Sequence, residues 1–208
     1  MFALVQDNTI TKTISGNRGI TLNDIQYPQN IFTLWSAAER EAIGIYEVVF
    51  DNTNKKDEAY YNNTNQTFAF ADGVVTASYG SATAKSLTDT LWTQQDSDDG
   101  DLPSDKSVGD VKAEGLKTQH KRIIKQQASG LLTNYDWYVI RKADAGTAVP
   151  SAITTYRAAV RTKSGQMETA IDNAANVDAL ATLYEYVNTG TEEEPVMERP
   201  LGEFPEAV

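Results

Sequence analysis

The hydrophobic period of this chain changes partway along, and that change restricts the fold more than any other feature. From Thr67 to Tyr79 the order is Thr-Phe-Ala-Phe-Ala, then Asp-Gly, then Val-Val-Thr-Ala-Ser-Tyr. Asp-Gly favours the tight turn whose twist matches two paired strands. From Ile153 to Ala174 the apolar positions Ile153, Tyr156, Val160, Met167, Ala170 and Ala174, with Lys163 among them, recur at spacings of three and four. That narrow seam is the kind helices use to pair. The two periods occupy separate blocks, so the expected class is α+β. The expected order is a small N-terminal β-rich domain with one short helix, an acidic linker and a C-terminal helical module.

The β pattern runs from the start to about residue 83, and the N-terminal domain is taken as residues 1–90. Ala3-Leu4-Val5 and Ile10 to Ile14 flank Asp7-Asn8, which suits a second hairpin. Ser36-Ala37-Ala38-Glu39 is a capping box, and Gly44 supplies a left-handed stop, giving one short helix of about two turns. Ile45 to Phe50 is β-branched and apolar and reads as a strand. Residues 91–106 read as the linker, because Gln94 to Asp105 clusters like charges with Gly and Pro. A calcium loop there fails on spacing, since aligning Gly100 with the loop glycine puts Lys106 where the bidentate glutamate belongs.

Residues 107–190 read as helical. Val108, Val111, Leu116, Ile123, Ile124 and Leu131 lie roughly on one face of a helix begun near Ser107. A second helix follows Pro150, a favoured first-turn residue, and Asn176 caps a last short one that ends at Gly190. Residues 191–208 carry Glu192-Glu193-Glu194, three prolines and Gly202, and are expected as an extended tail.

Chemistry is sparse. Without cysteine there is no disulfide, thiolate metal site or cysteine nucleophile. His120 is the only histidine, so one chain cannot build a multi-histidine metal site, and it sits where a surface or boundary position is expected. Gly-x-Ser-x-Gly, a phosphate loop and Gly-x-Gly-x-x-Gly are all absent. No catalysis and no cofactor are expected. With 29 Asp and Glu against 18 Lys and Arg, the net charge of -11 argues against nucleic acid and anionic membranes as partners. No run approaches the ~18 to 20 apolar residues of a membrane helix. The chain is expected to be soluble and made in a cytoplasm.

Ten tyrosines and three tryptophans are notable in so acidic a protein. Aromatic side chains bury large area at low rotamer cost and so serve both cores and interfaces. Trp137 is expected to lock a turn between two helices. Trp92, beside the polar segment, is as suited to exposure and partner contact as to burial.

The order Leu131-Leu132, Asn134-Tyr135-Asp136-Trp137, Arg141, Pro150, Tyr156-Arg157-Ala158-Ala159-Val160-Arg161 suits a helical docking module better than a catalytic pocket. It resembles the C-terminal module of tail-fibre assembly chaperones of tailed bacteriophages. The Met1 to Val5 opening strand, Ile43-Gly44 and the late Asp-Gly-Val-Val hairpin are similar to the β-rich domain that precedes that module. The ending Phe204-Pro205-Glu206 is similar to the short Pro-containing tails of some members. The resemblance implies a protein that binds a phage tail-fibre polypeptide in the host cytoplasm and assists its folding or trimerisation. The alternative is a structural virion protein of the tail, baseplate or fibre attachment. The candidate partner-binding residues are Trp92, Trp137, Tyr138, Arg141, Tyr156, Arg157, Arg161 and Phe204.

Overall fold

The computed structural model describes residues 1–208 and is α+β, β-rich at the front and helical behind. It divides into two units, Met1–Thr83 and Ala84–Val208.

In the first unit, β1 (Phe2–Gln6) and β2 (Thr9–Ile14) form a hairpin, followed by β3 (Ile20–Leu22) and β4 (Ile25–Tyr27). Two short helices, α1 (Ile31–Leu34) and α2 (Ala37–Glu41), lead to β5 (Ile45–Asp51), β6 (Tyr61–Asn62), β7 (Thr67–Ala71) and β8 (Val74–Ser78). β9 (Thr83–Ala84) lies at the division. The main sheet has the order β2-β1-β5-β8-β7, with β5 and β8 parallel and the other pairs antiparallel.

Three turn pairs explain the hairpins. Asp7-Asn8, Asn23-Asp24 and Asp72-Gly73 all hold positive φ, between 48° and 78°. Asn, Asp and Gly tolerate that region best, and it gives the turn that matches strand twist. The Asn23-Asp24 hairpin was not expected. Its chemistry is the same, but the flanking strands are only three residues each.

The first strand is buried on both faces. Phe2 and Leu4 join Ile14, Ile31, Phe32 and Ile45 on one side. Ala3 and Val5 join Val48, Val75 and Ala77 on the other, with Ile10 and Phe68 packed against them. Ile10 belongs to β2 and Phe68 to β7, so the edge strands approach each other and the sheet curls over this second core. The expected single helix is two. Ile31 and Phe32 of α1 fill the core, and α2 carries the capping box, in which Ser36 N–H donates to Glu39 Oε2 at 2.8 Å. Gly44 stops α2 at φ +80°, and an added Cβ would lie 2.7 Å from the Val5 carbonyl oxygen.

The second unit corrects several expectations. The division falls at residues 83 and 84, before the expected linker at 91–106. That segment is folded: β10 (Thr90–Leu91) pairs with β11 (Val111–Ala113), and α3 (Gln94–Asp98) lies between them. The acids there are used locally. Asp96 accepts from Thr93 N–H at 2.8 Å and Thr93 O–H at 2.6 Å, and it is ion-paired with Lys112. Lys112, sixteen residues away, supplies the cation that a run of like charges lacks in sequence.

The first long helix, α4 (Leu116–Thr133), begins later than the sequence period implied. Val108, Val111 and Ile123 are exposed, and its buried residues are Leu116, Ile124 and Ala128. Gly115 stands immediately before α4, at its N-cap. Its N–H donates to Asp89 Oδ1 at 2.7 Å, and a Cβ there would meet the Thr88 backbone at 2.2 Å. α5 (Asp136–Ala145) occupies the stretch expected to include a turn and ends at left-handed Gly146. α6 (Ser151–Asn173) follows Pro150 as expected, and its buried face is Ile153, Tyr156, Arg157, Val160, Ser164, Met167 and Ile171. Lys163 and Ala170 of the expected seam lie at its margins.

Helices α4 and α6 run antiparallel. Lys121 pairs with Asp172 at 2.7 Å, Lys125 with Glu168 at 3.3 Å, and Arg157 donates to the Leu132 carbonyl at 2.7 Å. Asn176 caps α7 (Val177–Thr182) as expected, although α7 ends well short of Gly190. The expected extended tail instead folds back. β12 (Val187–Asn188) pairs with β13 (Met197–Glu198), and Leu201 is 2% exposed with its N–H bonded to the Leu183 carbonyl at 3.0 Å. Apolar Leu201 and Phe204 give the segment a burial reward that its charge and proline content conceal.

Candidate functional site

The Tyr-Arg pair of α6 faces inward. Tyr156 is 4% exposed and packs with Ala128 and Val160, against Leu131, Leu132, Tyr135 and Phe204. Its hydroxyl is buried with no hydrogen-bond partner. Arg157 is 9% exposed and joins three helices. It donates to the Leu132 carbonyl in the last turn of α4, and it pairs with Asp136 in the first turn of α5 at 2.8 Å. A cation suits a helix C-terminus, where carbonyls lack partners. Tyr156 and Arg157 therefore belong to the frame of the unit, a correction to their place among the partner-binding candidates. Phe204 is half-buried against the same cluster and also belongs to the frame.

Trp92 is half-buried, with the Lys112 ammonium 4.4 Å from its ring centroid. It stands with the β10–β11 ladder, where its backbone N–H donates to the Asp110 carbonyl at 2.9 Å. The structure does not bring it together with the other candidates.

Three candidates do come together on α5. Trp137 and Tyr138 have ring centroids 3.8 Å apart. The Arg141 guanidinium lies 4.7 Å from the Trp137 ring and 5.2 Å from the Tyr138 ring. Stacking of this kind contributes roughly 0.5 to 1 kcal/mol at exposed sites. Arg141 Nε is buried without a hydrogen-bond partner. Trp137 does not lock a turn. It is 49% exposed in the first helical turn, and Val139 and Ile140 beside it are 45% and 66% exposed. No residue of α5 is buried. A ten-residue helix that leaves Trp137, Val139 and Ile140 about half exposed or more presents apolar surface to solvent. Val139 and Ile140 were not among the expected residues. Reading a turn at Trp137 hid the helix that Val139 and Ile140 share with it.

Arg161 stands one turn after Arg157 on the exposed side of α6. It lines a cleft of about 440 Å3 between α4 and α6, with Lys125, Ser129, Arg157, Ser164 and Glu168. Lys125, Ser129 and Ser164 were also missed, because they are ordinary polar residues whose grouping requires the helix pairing.

No group of three or more His, Asp or Glu side chains is placed to hold a metal ion. His120 is partly buried beside Tyr184, with ring centroids 4.8 Å apart, and burial holds its imidazole below the ordinary value. No helix is long and apolar enough to cross a membrane. Comparison with family models, with curated proteins and with solved structures finds no match.

Proposed function

We propose that this chain is a bacteriophage tail-fibre assembly chaperone, which binds the fibre polypeptide and assists its folding or trimerisation without catalysis. The observation that carries the reading is α5: an exposed helix presenting Trp137, Val139 and Ile140, held to the unit by Asp136 through buried Arg157. Exposed aromatic and aliphatic side chains on a framed helix suit capture of another polypeptide. The Leu131 to Arg161 pattern that resembles the chaperone module coincides with the segment that builds this surface and its frame.

Unassembled fibres are β-rich chains with open edges and apolar surface, and such intermediates aggregate. A partner with net charge -11 keeps a complex in solution while the apolar contact is covered. The work proposed takes place in the host cytoplasm during assembly.

Co-expression with the fibre protein encoded in the same genome tests the reading. Soluble fibre trimer is expected to depend on this chain. An unchanged trimer yield without it overturns the chaperone role. Stoichiometric retention in purified particles would instead favour a structural virion protein of the tail.

A further inference from the structure

We propose that the cleft between α4 and α6 receives a carboxylate side chain from an acidic segment of a partner protein. The assignment rests on the reading of this unit as a protein-binding module, and it adds the chemistry of what is bound.

The charges in the cleft decide the sign. Lys125, Arg157 and Arg161 face it, and so do Asp136 and Glu168. Asp136 is already paired with Arg157 at 2.8 Å. Glu168 is paired with Lys125 at 3.3 Å and accepts from the Ser164 hydroxyl at 3.2 Å. Both acids are thus satisfied from within the cleft. Arg161 has no ion-pair partner, so its guanidinium is the uncompensated charge. A planar guanidinium matches a carboxylate in two parallel hydrogen bonds. Ser129 adds a hydroxyl at the same wall, and Ala128 and Leu132 supply apolar surface alongside. In a chain of net charge -11, a hollow with a cationic surplus runs against the molecule's own field.

Size separates a peptide from a free anion. The volume of about 440 Å3 lies in the ~300 to 1,000 Å3 range of organic ligand sites and exceeds what a lone oxyanion fills. The apolar wall also has no use for an inorganic ion.

The test is an NMR titration of the isotope-labelled full chain with two short peptides. They are acetyl-Leu-Glu-Ala-Glu-amide and its glutamine counterpart, acetyl-Leu-Gln-Ala-Gln-amide. The glutamate peptide is expected to shift the Ser129, Ser164 and Gly165 amides saturably and to bind at least fivefold more tightly than the glutamine peptide. Arg161→Glu is expected to erase that preference while leaving the thermal melt unchanged, since Arg161 is exposed. Glu168→Gln, which releases Lys125, is expected to tighten the glutamate peptide at least threefold.

Equal affinity for the two peptides overturns the proposal, as do shifts mapping elsewhere or a preference that survives Arg161→Glu. Inorganic phosphate at matched ionic strength is the control. If it saturates the same amides as tightly as the glutamate peptide, the cleft is a free-anion site and the proposal falls. Concentration-dependent dimerisation through these same amides also overturns it. The titration contains no fibre, so its failure is distinguishable from failure of the chaperone reading.

Discussion

Tyr156 and Arg157 are adjacent and buried, yet their polar atoms fare differently. The Tyr156 hydroxyl has no partner, so its desolvation is uncompensated. Tyr156→Phe is expected to leave stability unchanged or raise it by about 1 kcal/mol in urea unfolding; a clear loss would mean the hydroxyl is satisfied. Arg157→Ala is expected to cost about 2 kcal/mol, below the ~3 to 5 of a fully buried pair because Asp136 is half exposed. His120 adds a pH dependence. Burial holds its folded-state value below the ordinary 6.5, so the unfolded chain takes up the proton first as pH falls. The stability it contributes is complete above pH 6.5 and declines below it. Urea unfolding between pH 7.5 and 5 is expected to show that slope, and His120→Gln to reduce it.

At the scale of elements, local turn chemistry was the most legible part of the sequence. Asp7-Asn8 and Asp72-Gly73 announce their hairpins because few residue types accept two left-handed positions in a row. The Ser36 capping box, Gly44, the Pro150 start and the Asn176 cap are legible for similar reasons, since each signal lies within a few residues. The misread elements depend on distant partners. The acidic segment folds because Thr93 caps α3 and Lys112 reaches Asp96. The tail folds because Leu201 and Phe204 find cover on the helical unit. The candidate site was half legible. Trp137, Tyr138 and Arg141 do share a surface, but the inward turn of Tyr156 and Arg157 depends on how α6 is rotated against α4. The Lys112 ammonium, and then the Thr93 hydroxyl and N–H, hold the Asp96 carboxyl down at about 2. Its contribution is therefore complete above the ordinary aspartate value of 3.8 and lost as pH falls through about 2. In Lys112→Ala the Asp96 titration is expected to move upward by carboxyl NMR; an ordinary value in the unaltered protein would contradict the pairing.

At the scale of the whole molecule, one property opposes another. The chain carries a net charge of -11 and leaves Trp137, Val139 and Ile140 in water. Charge repulsion guards against self-association through that apolar helix at low salt. Sedimentation at ~50 mM salt is expected to give a monomer of 22.8 kDa, with association appearing near ~1 M, where charges are screened within ~3 Å. A stable dimer at low salt would mean the α5 surface is made for a second copy. The most direct test of the central claim uses the double variant Trp137→Ser, Ile140→Ser, co-expressed with the fibre protein of the same genome. Both side chains are exposed and the variant gives up the Trp137 stacking, so its own stability is expected to stay within ~1 kcal/mol of the unaltered chain. Soluble fibre trimer is expected to fall at least tenfold, as the loss of two interface anchors would require. A trimer yield equal to that obtained with the unaltered chain would contradict the account.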